Sequence, residues 1–102
     1  MPYIRKTGRA VDAAVPQHGE TVLRADGSRI EMRLWRGAQG PACRIEYLRA
    51  GEPLLSYEAD SRGAVRALRG RAAAYAFRSI EQLRYDFERD LEGIDRGGQA
   101  PA

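Results

Sequence analysis

Asp26-Gly27 lies between the run Thr21 to Arg24 and the alternating run Arg29 to Leu34, and it constrains this chain more than any other feature. Asp-Gly accommodates the positive φ of a tight turn, so the flanking runs are read as a β-hairpin. A two-residue loop sets Leu23 opposite Ile30 and Thr21 opposite Met32 on one side. On the other side it sets Arg24 opposite Arg29, Val22 opposite Glu31 and Glu20 opposite Arg33. A four-residue loop, Gly37-Ala38-Gln39-Gly40, then pairs Leu34 with Cys43, Met32 with Ile45 and Ile30 with Tyr47. A three-residue loop, Ala50-Gly51-Glu52, with Gly51 at positive φ, places Leu55, Tyr57 and Ala59 on that same apolar side. The predicted strands run near 20–25, 28–36, 41–49 and 53–59. The outer face carries Glu20, Val22, Arg24, Arg29, Glu31, Arg33, Trp35, Arg44, Glu46, Leu48, Leu54, Ser56 and Glu58.

Two helices are expected after the strands. The first runs near 61–76, capped by Asp60 or Ser61, with Val65, Leu68, Ala72 and Tyr75 on one side and Arg62, Arg66 and Arg69 in an adjacent stripe. Gly70 weakens this helix, and the alternative is a short edge strand at Tyr75-Ala76-Phe77. The second runs near 79–92. Ser79 and Gln82 form its capping box, Ile80, Leu83, Phe87, Leu91 and Ile94 its apolar arc, and Gly93 its stop. The fold class expected is therefore α+β: a four-stranded antiparallel meander followed by two C-terminal helices packed on one face. Residues 1–19 read as a loosely ordered basic arm, 20–95 as one domain and 96–102 as a flexible tail.

Only 19 of the 102 residues are Leu, Ile, Val or Phe, so the core is thin and is filled out by Ala and Tyr. A homodimer or an obligate partner would bury more apolar area. The single Cys43 excludes an internal disulfide and, set beside Leu34, reads as a core residue, which fits a reducing compartment. No apolar run has the length of a signal-peptide core or a membrane span, so a cytoplasmic protein without membrane contact is expected. The ratio of 16 Arg to one Lys looks like GC-rich coding, which weakens Arg richness as evidence for nucleic acid.

Catalytic chemistry has little to work with. One His, one Cys and no Asn cannot supply a Cys-His-Asn nucleophile or a multi-His metal site within one chain. No cofactor or metal is expected. His18 reads as a solvated loop residue. The acid pairs Glu88 with Glu92 and Asp86 with Asp90 read as solvated helix positions, where nothing lifts a carboxyl pKa.

Charge is strongly segregated. Residues 61–80 hold Arg62, Arg66, Arg69, Arg71 and Arg78 with no acid, whereas 81–95 hold six acids against Arg84 and Arg89. The two segments can pair with each other, Glu88 and Asp90 being candidate carboxylates, or the Arg stripe can meet a partner's carboxylates or phosphates through bidentate contacts. Trp35, between Arg33 and Arg36, is either an anchor for a partner or is packed under the amino-terminal arm. The function expected is a small non-catalytic binding module or inhibitor docking on a larger protein or nucleoprotein complex through Arg62, Arg66, Arg69, Trp35, Arg33 and Arg44. The alternative is a DNA- or RNA-binding accessory protein that adds Arg5, Lys6 and Arg9, and a small enzyme comes last. Size and an arm-bearing, Arg-rich character suit a phage or plasmid accessory gene.

Overall fold

The structure, a computed structural model, describes residues 18–37 and 40–97. Its sheet has six strands in sequence order, all antiparallel: β1 (His18–Leu23), β2 (Arg29–Gly37), β3 (Gly40–Arg49), β4 (Glu52–Asp60), β5 (Gly63–Leu68) and β6 (Arg71–Ala74). One helix, α1 (Ile80–Asp95), follows and packs against β3 and β4. The expectation of four strands and two helices is thus corrected: the segment assigned to a first helix, 61–76, is a third strand pair, and among the described residues a single helix covers the sheet.

The reason lies in the turns. Ala has the highest helix propensity, and 61–76 is rich in it. Yet Arg69 and Gly70 both adopt positive φ, 50° and 84°, the mirror-image turn that joins antiparallel strands and ends any helix. Asp60, expected as a helix cap, instead accepts the Arg62 backbone N–H at 2.8 Å and so closes the β4–β5 hairpin, the same side-chain chemistry serving a turn. Pairing with β5 also removes β4 from the sheet edge, where its backbone groups would lack partners.

The central registers follow the alternation. Met32 faces Ile45, Ile30 faces Tyr47 and Leu34 faces Cys43, and Cys43 is buried. The ladder runs on to Gly37 opposite Gly40, so the connection between β2 and β3 is shorter than the four residues expected. Leu55, Tyr57 and Ala59 do lie on the covered side, but by a different route. The turn is the two-residue Ala50-Gly51, and a bulge beside Tyr47 and Leu48 restores the parity.

The first hairpin departs from its expected register. Gly27 N–H bonds to the Arg24 carbonyl at 3.0 Å and Arg24 N–H to the Ser28 carbonyl at 2.9 Å. The loop is therefore Ala25-Asp26-Gly27, with Gly27 at φ 88° as the left-handed residue of a bulged turn. Asp26 holds it by accepting from Ser28 N–H at 2.9 Å. Val22 now faces Ile30 and Glu20 faces Met32, a slip of one residue that turns every β1 side chain to the other face. Glu20, Val22 and Arg24, expected on the outer face, belong to the covered one.

That change ties β1 to the helix. Glu20 Oε1 lies 3.1 Å from Arg84, and both carboxylate oxygens of Asp95 accept from Arg24, at 3.1 and 2.6 Å. Between them lies the core: Met32, Cys43, Ile45, Tyr47, Leu55, Tyr57 and Ala59 from the sheet against Leu83, Phe87, Leu91 and Ile94 from α1. The helix begins as expected, Ser79 Oγ accepting from Gln82 N–H at 3.0 Å. It then runs through Gly93, which is buried against the sheet, to Asp95.

Candidate protein-binding surface

One face of the sheet carries α1; among the described residues no element packs on the other. The open face is laid out in cross-strand rows. One row runs Arg33, Arg44, Glu58, Val65, Ala74, and the next Glu31, Glu46, Ser56, Ala67, Ala72. It is charged over β2 to β4 and apolar over β5 and β6. Trp35 stands at the end of the charged half, opposite the buried Ala42, and is itself half-buried.

The charges on this face compensate one another. Glu31 lies 2.6 Å from Arg29 and 3.5 Å from Arg33. Arg44 lies 2.8 Å from Glu46 and 3.9 Å from Glu58. Like charges that sit directly opposite in the ladder, Arg33 with Arg44 and Glu31 with Glu46, are thus relieved by their neighbours along and across the strands.

Of the residues expected to bind a partner, Arg33, Arg44 and Trp35 share this face. Arg62, Arg66 and Arg69 do not form a stripe. Arg62 is in the β4–β5 turn, Arg69 in the β5–β6 turn at the other end of β5, and Arg66 in the middle of that strand facing the helix side, opposite Tyr57. Arg5, Lys6 and Arg9 lie outside the described residues. His18 belongs to β1 and lies 2.9 Å from Glu20.

Arg66 meets a buried partner instead. Its Nε donates to Asp90 Oδ2 at 2.6 Å and to the Tyr57 hydroxyl oxygen at 3.1 Å, and the Tyr57 hydroxyl donates to the same Asp90 oxygen at 2.5 Å. Asp90 is 1% exposed, which corrects its reading as a solvated helix position. The spacing held the signal: Asp90 lies seven residues after Leu83 and three after Phe87, inside the buried arc. Burial, and then the bond to Asp90, pushes the Tyr57 phenol above its ordinary value of 10.0.

Beside this cluster, between β6 and α1, opens a cleft of about 510 Å³. Tyr57, Arg66 and Asp90 form its floor, the Ala73-Ala74-Tyr75-Ala76 segment one wall, and Gln82, Asp86 and Arg89 the helix wall, with Arg78 beside them. Asp86 is already engaged by the Tyr75 hydroxyl, by the Gln82 amide at 3.0 Å and by Arg89 at 3.8 Å. Sequence reasoning missed this cleft because it needs β5 and β6 to be strands.

Among the described residues no group of His, Cys, Asp and Glu is arranged to hold a metal ion, and no helix is long and apolar enough to cross a membrane. No protein-family model, curated protein sequence or solved structure matches the chain.

Proposed function

We propose that this protein is a non-catalytic binding module that docks on a larger protein through the charged half of its open sheet face, with Trp35 as the anchor and Arg33 and Arg44 beside it. The observation that carries this reading is the compensation of charge there: Arg29, Arg33 and Arg44 stand among Glu31, Glu46 and Glu58 at 2.6 to 3.9 Å. A polyphosphate backbone binds where cations stand unopposed, since its affinity comes from neutralised phosphates and released counterions. On this face each Arg already has a carboxylate and each phosphate would meet a glutamate. A protein surface of mixed charge can complement such a pattern residue by residue, which favours register and partner choice. Trp35 adds an amphipathic ring of the kind that dominates protein contacts.

The test is capture from a host lysate with and without nuclease, followed by titration of the partner obtained. The reading expects a partner that survives nuclease, and a loss of about 2 kcal/mol or more for Trp35→Ala. Loss of the partner on nuclease treatment, or unchanged affinity for Trp35→Ala together with Arg33→Glu and Arg44→Glu, would overturn it.

A further inference from the structure

Beyond the open face, the sheet ends in an edge whose chemistry points to a second docking site. β6 is the last strand, and Tyr75 N–H bonds to the Ala64 carbonyl at 3.0 Å. Residues alternate along an antiparallel ladder, so Ala72 and Ala74 turn their N–H and C=O groups away from β5. All four residues of β6 are exposed. Natural sheets cover or blunt such an edge, or use it to receive a strand.

The side chains around the edge specify what that strand would carry. Toward the open face, the rows reach the edge as Val65 with Ala74 and Ala67 with Ala72, small and apolar. Toward the helix side, Ala73 leads into the cleft beside Arg78 and Arg89. Arg71 opens β6 and Arg69 precedes it. Among the described residues no carboxylate lies within ion-pair distance of Arg69, Arg71 or Arg78, whereas the arginines of the open sheet face all have one. The local acids cannot serve, because Asp86 and Asp90 are held by Tyr75, Tyr57, Gln82 and Arg66.

We propose that β6 receives an extended acidic segment of a partner protein as a seventh strand, its alternate carboxylates turned toward Arg71 and Arg78 on the helix side and its alternate apolar residues continuing the Val65 and Ala67 rows. Main-chain bonds to Ala72 and Ala74 supply the pairing, and the cations select the sequence.

The probe is a fluorescently labelled decapeptide of alternating Glu and Val, titrated by polarisation against the intact protein. Saturable binding is expected, weakened by salt, at least tenfold tighter than for the Lys-Val peptide and a single-stranded oligonucleotide of equal charge. Ala72→Pro and Ala74→Pro should each weaken it at least tenfold while the melting temperature holds, since each removes an outward N–H and no native bond. Should a proline variant unfold, the same peptide N-methylated at alternate residues makes the test from the other side, and it should not bind. Arg71→Glu with Arg78→Glu should also abolish binding. Preference for the oligonucleotide, equal binding of the Lys-Val peptide, or indifference to both the proline substitutions and N-methylation would overturn the proposal. So would a dimer in sedimentation that Ala74→Pro dissociates, which would make a second copy the occupant.

Discussion

The covered and open faces of this sheet use one alternation to opposite ends. Under α1, Met32, Ile45 and Tyr57 stand in a single cross-strand row and meet Leu83 and Phe87. Where charge enters that side, as Arg66 with Asp90, it is paired at 2.6 Å and bonded again to Tyr57. On the open side the equivalent rows hold Arg33 with Arg44 and Glu31 with Glu46, charges that water can still reach. The difference teaches that stability and the proposed recognition are separable here. Substitutions under the helix should move melting and unfolding, whereas those on the open face should move binding and leave the fold in place.

The sharpest way to break that division is Phe87→Ala. Phe87 is 1% exposed and its ring meets Tyr57 edge-on at 6.1 Å between centroids. Its removal should cost about 3–5 kcal/mol, a large share of the stability of a domain this size. Urea denaturation should show the loss directly. A midpoint close to that of the parent would mean that α1 does not hold the sheet.

Asp90→Ala comes next, because it would leave the Arg66 guanidinium and the Tyr57 hydroxyl facing a buried position without their shared acceptor. Breaking a buried pair from one side costs about 3–5 kcal/mol. Arg66, with 18% of its side chain exposed, can turn partly to water, so about 2–3 kcal/mol is expected. An effect below 1 kcal/mol, read by the same denaturation, would show that the cluster contributes little to the covered face.

How far these two faces were legible in the sequence depended on what each strand alternates with. β2, β3 and β4 have long runs in which only one parity buries apolar residues, so Met32, Ile45 and Tyr57 could be placed from residues alone. β1 offers Thr21, Val22 and Leu23 in succession, both parities are tolerable, and the loop length decides. The bulged turn at Gly27 added one residue and reversed Glu20, Val22 and Arg24. The segment 63–74 was harder still. Its alanines favour helix locally, whereas the Arg69-Gly70 turn and the exposed side of β4 favour strand, and tertiary pairing prevails. Of the candidate site, Trp35, Arg33 and Arg44 could be grouped because they lie on central strands. The Arg62, Arg66, Arg69 grouping depended on a helical period that the chain does not adopt. One of its expected pairings, a stripe arginine with Asp90, is present, and it is a buried contact on the helix side.

Alkaline titration probes the covered face without a substitution. Tyr57 keeps its proton in the fold well past its ordinary value of 10.0, owing to burial and then the Asp90 bond, while in the unfolded chain it ionises near that value. The folded pKa is the raised one, so this contribution is intact below pH 10 and is lost as pH rises from there. The slope is about 1.4 kcal/mol per pH unit for one such group. Tyr75, held above its ordinary value by burial and Asp86, and Cys43, held above its own by burial, act in the same direction. Urea midpoints measured from pH 9 to 11 should fall, and fall less steeply in Tyr57→Phe. Equal slopes in the two proteins would remove Tyr57 from the account.

The smallest expected effect belongs to the open face and is the one that completes the comparison. Arg44 has 46% of its side chain exposed and neighbours Glu46 and Glu58. An exposed pair of this kind contributes about 0–1 kcal/mol, since solvent screens the attraction and ordering two long side chains opposes it. Arg44→Ala should therefore shift unfolding by roughly 0.5 kcal/mol or less. It leaves Glu58 opposite Arg44's former position with no cation at 3.9 Å, and leaves Glu31 and Glu46 facing one another with only Arg29 and Arg33 nearby. The face changes from balanced to net acidic while the core beneath it is untouched. If the open face serves a mixed-charge protein partner, that change should alter the association rate and its salt dependence, as rim charges do, with no matching change in melting temperature. Thermal melting and association kinetics on the same samples decide the matter: a variant that melts lower in proportion to any loss of binding would show that the two faces are one cooperative unit and not a scaffold and a surface.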